Sequence, residues 1–303
     1  MTSKEFRQAT WDDETIDDCR QLIRLAVRED LSRGLDLTTV ALVSQQAEGA
    51  ARVVFREPGV VAGLPAAELV LQEMNANVRW QTFVAEGAAI GAGDAVAEVS
   101  GSTRDLLTCE RLLLNLVGRL SGIATRTREY VTAVAATGTR IYDTRKTTPG
   151  WRRLEKYAVR CGGGCNHRTG LFDAILIKDN HLAQGNASVA EALARAREFL
   201  AMQEDESLIA ETILEVEVDT LDQLDEALQQ RPDIVLLDNM NIDQLREAVQ
   251  KRNTASKAVQ LEASGGITLD TIQAVAATGV DRISVGAITH SATALDIALD
   301  WCG

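Results

Sequence analysis

Residues 214–238 read LEVEVDTLDQLDEALQQRPDIVLLD, and this stretch contains a strand, a helix and a second strand in succession. Its two ends are short, apolar and rich in Val, Ile and Leu, as strands buried in a parallel sheet are. Between them, Leu221–Gln229 repeats its leucines at helical spacing. A strand, a helix and a further strand form the unit from which parallel α/β sheets are built.

The same alternation begins near residue 139 and continues towards the C-terminal end. Strands are predicted at Arg140–Asp143, Ala174–Lys178, Leu214–Val218, Ile234–Asp238, Val259–Ala263 and Arg282–Val285. Helices are predicted between most of them, at Ala187–Phe199, Leu221–Gln229, Ile242–Lys251 and Leu269–Ala277. This pattern favours a parallel α/β barrel or an open doubly wound sheet, and one further strand could be hidden in it.

Residues 1 to about 100 follow a mixed pattern that is typical of an α+β domain. A helix is predicted over Asp17–Glu29, and strands at Ala51–Arg56, Val78–Val84 and Ala95–Val99. A long helix then begins near Ser102, because small or apolar residues recur in steps of three and four. These residues are Leu106, Cys109, Leu113, Leu116, Leu120 and Ile123. Arg104 and Arg111 lie on another face of that helix. From spacing alone, we interpret that face as exposed to solvent.

Composition excludes several classes of protein. The 31 Lys and Arg residues against 44 Asp and Glu residues give a net charge of −13, which argues against a general nucleic-acid binder. No apolar run reaches the length of about 18 residues that a membrane span needs, and the polar N-terminal stretch does not resemble a signal peptide. The five cysteines among 303 residues fit free thiols in a reducing cytoplasm.

Charged residues collect where the predicted strands end, at the edge where α/β enzymes place their sites. The basic ones are Arg145, Lys146, His167, Arg168 and Lys178, and the acidic ones are Glu217 and Asp238. Basic groups suit an anionic substrate. The two acids suit a divalent metal or the hydroxyl groups of a sugar.

Glycines at two later strand ends point to a phosphate site. Ser264-Gly265-Gly266 precedes a helix predicted near Thr268, and Gly286 follows the next strand. Glycine lets the backbone approach a ligand, and a helix N-terminus offers free N–H groups to phosphate. By contrast, Cys161–His167 carries a Cys-x₃-Cys-x-His pattern that only superficially suggests zinc. We interpret it as a flexible glycine loop that presents His167 and Arg168.

Several longer motifs together resemble the quinolinate phosphoribosyltransferase family. They are DTRKTTPG at 143–150, EKYAV at 155–159, GGGCNHR at 162–168 and KDNH at 178–181. Shorter matches extend the resemblance over nearly the whole chain, at Glu29–Leu31, Asp36–Thr39, Glu110–Arg111, Ser121–Thr125, Glu215–Val218, Asp238–Met240, Ala263–Gly266 and Ser284–Gly286. The combination is highly specific, although each piece alone is not.

The resemblance implies a fold and an activity. The fold is an N-terminal open-faced α/β sandwich in residues 1–122, joined by the tail 288–303, and an incomplete parallel α/β barrel in residues 123–287, as in type II phosphoribosyltransferases. The activity is transfer of phosphoribosyl from phosphoribosyl pyrophosphate to quinolinate with decarboxylation, giving nicotinate mononucleotide, CO₂ and pyrophosphate for NAD synthesis. Mg²⁺ and a cytoplasmic homodimer are implied too, with assembly beyond the dimer left open.

The resemblance also implies a role for each matched residue. Arg145, His167, Arg168 and Lys178 would hold the two quinolinate carboxylates, with Arg111 donated by the partner subunit. Lys146, Glu217 and Asp238 would be the catalytic group that handles the ribose, the pyrophosphate and Mg²⁺, which Glu217 and Asp238 would bind directly or through water. Ser264, Gly265, Gly266, Gly286 and His290 would cradle the 5-phosphate. No role is implied for Cys165.

Two other functions stay open at this stage. One is a paralogous phosphoribosyltransferase of the same fold with a different acceptor, for example a molybdenum-associated one. Equal acceptance of nicotinate and quinolinate would favour it. The other is a binding or sensor protein for a phosphorylated ligand, which predicts binding without turnover and does not need Glu217 and Asp238 beside the basic groups.

Overall fold

The computed structural model describes residues 4–32 and 34–302, except the side chains of 206–208. The chain forms two compact units. The antiparallel-sheet unit comprises Gln8–Arg128, Lys146–Gly164 and the residues from Ile288 onward, and the parallel-sheet unit comprises the residues up to Arg7, Glu129–Arg145 and Cys165–Ala287. None of the described helices is long and apolar enough to cross a membrane.

The strands and helices are numbered in chain order. The strands are β1 (Glu48–Phe55), β2 (Gly59–Val60), β3 (Val78–Thr82), β4 (Ala89–Ile90), β5 (Ala95–Ser102), β6 (Arg140–Tyr142), β7 (Ala174–Ile177), β8 (Ile213–Val218), β9 (Ile234–Asp238), β10 (Gln260–Ser264), β11 (Arg282–Ser284) and β12 (Ile297–Trp301). The helices are α1 (Asp13–Leu31), α2 (Leu37–Leu42), α3 (Leu64–Glu73), α4 (Thr103–Val134), α5 (Arg152–Cys161), α6 (Asp179–Gly185), α7 (Val189–Ala201), α8 (Glu206–Glu211), α9 (Leu221–Gln230), α10 (Ile242–Ala255), α11 (Ile272–Ala276) and α12 (Ala287–His290).

The antiparallel-sheet unit is built on a sheet with the strand order β12-β1-β5-β3. The predicted strands correspond to β1, β3 and β5. The fourth strand comes from the C-terminal tail, because β12 pairs with β1 from Ala51 opposite Trp301 to Phe55 opposite Ile297. The sequence did not predict α3, of whose ten residues six are buried. Its exposed face is narrow, with Glu68 and Gln72 one turn apart, so the amphipathic pattern is weak.

The long helix α4 confirms the predicted apolar stripe. It has 32 residues. All six stripe residues, from Leu106 to Ile123, are buried. Arg111 is exposed on the other side of the helix.

The predicted boundaries 1–122 and 123–287 stay a prediction. The division into compact units falls within α4, between Arg128 and Glu129. Residues 146–164 belong to the antiparallel-sheet unit because α5 packs on α1. The rings of Trp11 and Tyr157 lie 5.3 Å apart. Arg153 pairs with Glu14 at 2.8 Å and with Asp18 at 3.0 Å.

The parallel-sheet unit contains the predicted incomplete barrel. Its strand order is β6-β11-β10-β9-β8-β7, and every neighbouring pair is parallel. Each of the predicted strands is present; β9 has the predicted ends, and the ends of the other strands differ by at most one residue. A single parallel bridge joins Cys165 to Tyr142 beside β6, and it is the trace of a further strand.

The predicted helix over Leu269–Ala277 forms only in part, because its first three residues are a turn. The helix α11 has only five residues and begins at Ile272. Before it, the Thr268 carbonyl accepts the N–H groups of Thr271 and Ile272 at 3.1 and 2.9 Å. The helix expected near Thr268, after Ser264–Gly266, therefore begins four residues later, at Ile272.

Candidate active site

Alternating residues of a strand lie on one face of a sheet. On β8, one face carries Ile213, Glu215 and Glu217. Ile213 belongs to an apolar cluster at the N-terminal edge of the sheet. Glu215 lies two residues further along and is completely buried. Glu217, after another two residues, pairs with Lys178. The face thus changes from apolar to charged over about 13 Å of strand.

Arg145 and Arg168 come together where β6 ends and β7 is about to begin. Arg168 is buried, and its Nη1 donates to the Ala174 carbonyl at 3.4 Å. Burial, followed by the nearby positive charge of Arg145, lowers the pKa of Arg168. Two guanidinium groups that repel each other in a poorly hydrated place favour an anion with more than one negative charge.

Asp143 fixes the segment that presents His167 and Arg168. Its buried carboxylate accepts the side-chain amide of Asn166 at 2.7 Å and the backbone N–H of His167 at 2.8 Å. The Asp143 N–H donates to the Cys165 carbonyl at 3.1 Å. The end of β6 and the segment 165–168 are therefore one rigid structure.

The His167 ring is buried, with a hydrogen bond at one ring nitrogen and two carboxylates near the other. Nδ1 accepts the backbone N–H of Arg168 at 2.8 Å, which assigns the ring proton to Nε2. Nε2 lies 3.0 Å from Glu215 Oε2 and 3.6 Å from Glu262 Oε1. Burial raises the pKa of Glu262 to about 7, the charge of Glu215 raises it further, and the neighbouring His167 and Arg282 oppose the rise.

His167, Glu215 and Glu262 also have the spacing of metal ligands, with donor atoms within 4.8 Å of one another. A metal would need the Nε2 lone pair, but the hydrogen bond at Nδ1 leaves the proton on Nε2. The positive charge of Arg282 also acts on Glu262. We therefore interpret His167, Glu215 and Glu262 as buried groups that protein partners stabilise, and not as a metal site.

A second acidic pair lies nearer the C-terminal edge. Glu217 forms an ion pair with Lys178. Burial raises the pKa of Glu217 against the effect of Lys178, and the negative charge of Asp238 raises it further. Two carboxylates that feel each other's charge are a donor set that suits Mg²⁺, which prefers oxygen ligands.

Asp238 and Ser264 occupy paired positions on β9 and β10, and the residues after them interlock. Asn239 donates its N–H to the Ser264 carbonyl at 3.0 Å. Gly265 has φ +95°, and a Cβ there would lie 2.2 Å from Asn239 Oδ1. Gly266 has φ +60° with open space beside it. Only glycine fits at position 265, and two successive positive φ angles form a turn whose N–H groups can face an anion.

Three predicted site residues, Arg111, Lys146 and His290, lie in the antiparallel-sheet unit. All three are exposed. The Lys146 carbonyl accepts the Thr289 hydroxyl at 2.8 Å, which brings Lys146 close to the residue before His290. His290 Nδ1 lies 2.7 Å from the Ser291 hydroxyl.

Comparison with known proteins identifies the family. The family model for the quinolinate phosphoribosyl transferase N-terminal domain matches residues 36–121, and the model for the C-terminal domain matches residues 123–300. The chain belongs to the quinolinate phosphoribosyltransferase family.

Named relatives of this family cover nearly the whole chain. The nicotinate-nucleotide pyrophosphorylase (carboxylating) of Mycobacterium leprae (strain TN) is 46% identical over 286 residues, which are 94% of this chain and 97% of that one. Among solved structures, the nicotinate-nucleotide pyrophosphorylase of Francisella tularensis has a TM-score of 0.86 at 35% identity and covers 99% of this chain and 100% of that one. NadC from Streptococcus pyogenes has a TM-score of 0.87 at 36% identity and covers 98% and 100%.

The glycine-rich motif that resembles this family is closely packed in the structure. A Cβ at Gly162 would lie 2.4 Å from the Ala124 carbonyl, and one at Gly164 would lie 2.7 Å from a Thr127 methyl group. The expected flexible loop is therefore wrong, because the glycines allow the chain to lie against α4. Burial raises the pKa of Cys161 to about 12, so its thiol stays protonated at neutral pH.

Sequence reasoning missed the buried groups that support the site. Asp143 stands inside the DTRK motif, and Glu215 lies two residues before Glu217, so both had a local signal. For Glu262 the only local signal was its position as an acidic residue inside an apolar strand. A charge at such a position is costly unless a partner comes from elsewhere in the chain, and that signal could have marked it.

Proposed function

We propose that this chain transfers the phosphoribosyl group of phosphoribosyl pyrophosphate to quinolinate, releasing pyrophosphate and CO₂ and forming nicotinate mononucleotide. The observation that carries the proposal is the juxtaposition of Arg145 with the buried Arg168 at the C-terminal edge of the parallel sheet. Membership of the quinolinate phosphoribosyltransferase family supports it.

The arginine pair matches the charge of quinolinate, which carries carboxylates on adjacent carbons of a pyridine ring. A guanidinium group offers a planar fork of donors to a carboxylate, so two of them can take one carboxylate each. Nicotinate has only one carboxylate and would leave one buried cation without its anion. We assign Lys178 and His167 to the same substrate, with His167 contributing its fixed ring at the floor of the site.

The phosphorylated substrate suits the glycine turn. We assign the 5-phosphate to Ser264, Gly265, Gly266 and Gly286, because the two positive φ angles expose backbone N–H groups. The family resemblance also assigns Lys146 and His290, in the antiparallel-sheet unit, to this substrate. Glu217 and Asp238 would face the ribose, where carboxylates can accept its hydroxyl groups.

We propose Mg²⁺ as the metal of the reaction. The residues fit it, because the negative charge of Asp238 raises the pKa of Glu217 and a divalent cation would relieve that repulsion. Bound there with the substrate, the ion would neutralise the charge of the departing pyrophosphate. In its absence the charge of Glu217 is balanced by Lys178.

The reaction then has two stages. The bond from ribose C1 to pyrophosphate breaks, with its electron pair leaving on the pyrophosphate oxygen, and the pyridine nitrogen donates its lone pair to C1. The ring nitrogen is now cationic, so the bond from C2 to its carboxylate breaks, CO₂ departs and the electron pair stays on C2. A proton from solvent then completes nicotinate mononucleotide. The protein holds the charges in place throughout, which is electrostatic catalysis by positioning.

We further propose a homodimer in which Arg111 reaches the partner subunit's site. Beside α4, the short helix α2 exposes Leu37 to 77% and Leu42 to 80%, which is unusual for apolar side chains on a monomer. Arg104, on the face of α4 that also carries Arg111, donates to the Val43 carbonyl at 2.7 Å. The exposed apolar surface and Arg111 are thereby parts of one region that a second copy could cover. A cytoplasmic location remains a prediction that accords with the five free cysteines.

The test of the proposal is a comparison of two acceptors. We expect kcat/KM for quinolinate to exceed that for nicotinate by about 30-fold or more, since losing one buried charged pair costs at least about 2 kcal/mol. Equal use of both acceptors would contradict the proposal and favour a paralogue with another acceptor. Binding of phosphoribosyl pyrophosphate without any turnover would favour a sensor protein.

A further inference from the structure

Residues 4–6 lie at the N-terminal edge of the parallel sheet, opposite the edge that carries the proposed site. Phe6 is 4% exposed. It packs in one apolar cluster with the first residues of β7, β8 and β9 and with the last residue of β6, namely Ala174, Ile213, Ile234 and Tyr142. The N-terminal segment therefore closes this edge of the sheet.

Polar contacts anchor the segment to β6, to β11 and to the residue before β8. Glu5 accepts from Arg140 Nη2 at 2.6 Å and from the Tyr142 hydroxyl at 2.9 Å, and it lies 3.1 Å from Arg282 Nη2. Lys4 Nζ donates to the Thr212 carbonyl at 2.8 Å. Because Arg282 has no exposed surface, Glu5 supplies a charge partner that solvent cannot replace.

The Phe6 ring lies directly against the His167 ring. The ring centroids are 4.3 Å apart and the planes are inclined by 32°. The Arg282 guanidinium lies 5.5 Å from the Phe6 centroid, on the same cluster. Hydrogen bonding through Nδ1 holds one edge of His167, and Glu215 faces the other. Phe6 covers a face of the ring that those contacts leave open.

We propose that Phe6 is a positioning residue for quinolinate binding. It closes the N-terminal edge of the sheet against water and holds the His167 imidazole in the orientation that the substrate meets from the opposite edge. The inference rests on the proposed function, because it takes His167 as part of the quinolinate site. It adds a residue that is remote from the substrate and far from every matched motif in sequence.

The expected effect is selective for one substrate. Removing the ring lets His167 tilt and lets water reach the buried charges around Glu215 and Glu262. Aromatic contacts of this kind are worth up to about tenfold in an equilibrium constant. We expect Phe6→Ala to raise KM for quinolinate by about tenfold, with KM for phosphoribosyl pyrophosphate and kcat each within about twofold.

The experiment compares Phe6→Ala and Phe6→Leu with two controls. Phe6→Leu keeps an apolar filler and safeguards folding, and it should raise KM for quinolinate by a smaller factor. Leu193→Ala, a buried leucine of α7, creates a cavity in the same unit without touching His167. Lys4→Ala removes the hydrogen bond to the Thr212 carbonyl and leaves the contacts of Glu5 and Phe6 in place. Neither control should change KM for quinolinate.

A direct readout comes from the histidine rings, because the chain has only three histidines. With ¹³C-labelled histidine, loss of the Phe6 ring current should move the His167 resonances in both Phe6 variants and leave those of His181 and His290 in place. Unmoved His167 resonances would overturn the inference. So would an unchanged quinolinate KM in folded Phe6→Ala and Phe6→Leu, or an equal rise in both KM values.

His167→Ala separates this inference from the proposed function. If His167→Ala leaves KM for quinolinate unchanged, the role of His167 in the proposed function is wrong, and this inference falls with it. If His167→Ala raises that KM and the Phe6 variants do not, the proposed function stands and only the positioning role of Phe6 is wrong.

Discussion

At the scale of single residues, the guanidinium groups of Arg145 and Arg168 decide what anion the site accepts. Replacing either one by Lys keeps the positive charge and removes the planar fork. We expect Arg145→Lys and Arg168→Lys to raise KM for quinolinate at least about tenfold, with a much smaller change for phosphoribosyl pyrophosphate. Steady-state kinetics with each substrate varied in turn measures both.

Arg246→Lys is the matched control, because Arg246 lies on α10 with a side chain 58% exposed and pairs with Asp243, one turn earlier on the same helix. It should leave both KM values unchanged. An equal rise for both substrates in the Arg145 and Arg168 variants would contradict the placement of quinolinate on this pair.

Glu262 makes stability depend on pH. Burial raises its pKa from the ordinary 4.5 to about 7, so the folded protein favours the protonated carboxyl. The stability that this gives is fully present below the ordinary pKa and is lost as pH rises through about 7. Glu262→Gln cannot ionise, so its free energy of unfolding relative to the wild type should increase over that window by at most about 3 kcal/mol.

Denaturant unfolding of both proteins at about pH 5 and about pH 8 measures this difference. Glu247→Gln, an exposed carboxyl on α10, serves as the control and should follow the wild type at both values. Parallel curves for Glu262→Gln and the wild type would show that Glu262 ionises normally in the folded chain.

At the scale of elements, the turn after β10 depends on its contact with the turn after β9. A Cβ at Gly265 would collide with Asn239, and φ there is +95°. We therefore expect Gly265→Ala to displace the turn and raise KM for phosphoribosyl pyrophosphate by about tenfold or more, and KM for quinolinate much less. Kinetics with each substrate varied separately distinguishes the two.

Gly138→Ala controls for backbone strain alone. Gly138 has φ +77° with nothing near its Cβ position, in the loop between α4 and β6. It should cost about 1 kcal/mol of stability and leave both KM values unchanged. If Gly265→Ala behaves as Gly138→Ala does, the turn does not bind phosphate.

Elements with a local signal could be predicted from the sequence, and elements without one could not. The strands of the parallel sheet are apolar runs bounded by turns, so β9 was predicted at its observed ends, Ile234–Asp238. The helix α3 buries six of its ten residues and exposes only a narrow face, so its period is weak. The helix α11 was predicted too long, because Thr268 and Thr271 form a turn that the apolar pattern does not reveal.

The same distinction holds within the site. Residues at strand ends carry a local signal, since a charge directly after an apolar strand is visible in the sequence. The support of His167 by Phe6 joins residues 161 positions apart in the chain, and nothing near either residue indicates the contact. Long-range partners of this kind follow from topology, which a local pattern does not fix.

At the scale of the whole molecule, the proposed dimer predicts complementation between two inactive variants. Arg111→Ala removes the donated arginine, and Arg145→Ala disables the recipient site. In a mixture of equal parts that has exchanged subunits, half of the dimers are mixed, and each has one intact site. We expect about a quarter of wild-type activity to return. No recovery after proven subunit exchange would contradict donation of Arg111 across the interface.

The most direct test of the central claim is a single incubation of the protein with quinolinate, phosphoribosyl pyrophosphate and Mg²⁺. Quinolinate labelled in its C2 carboxylate lets CO₂ release and nicotinate mononucleotide be followed together. The account predicts that both form at the same rate and in equal amounts, and that Arg168→Lys slows both alike. Folded protein that forms neither product, or forms a nucleotide without releasing CO₂, would contradict it.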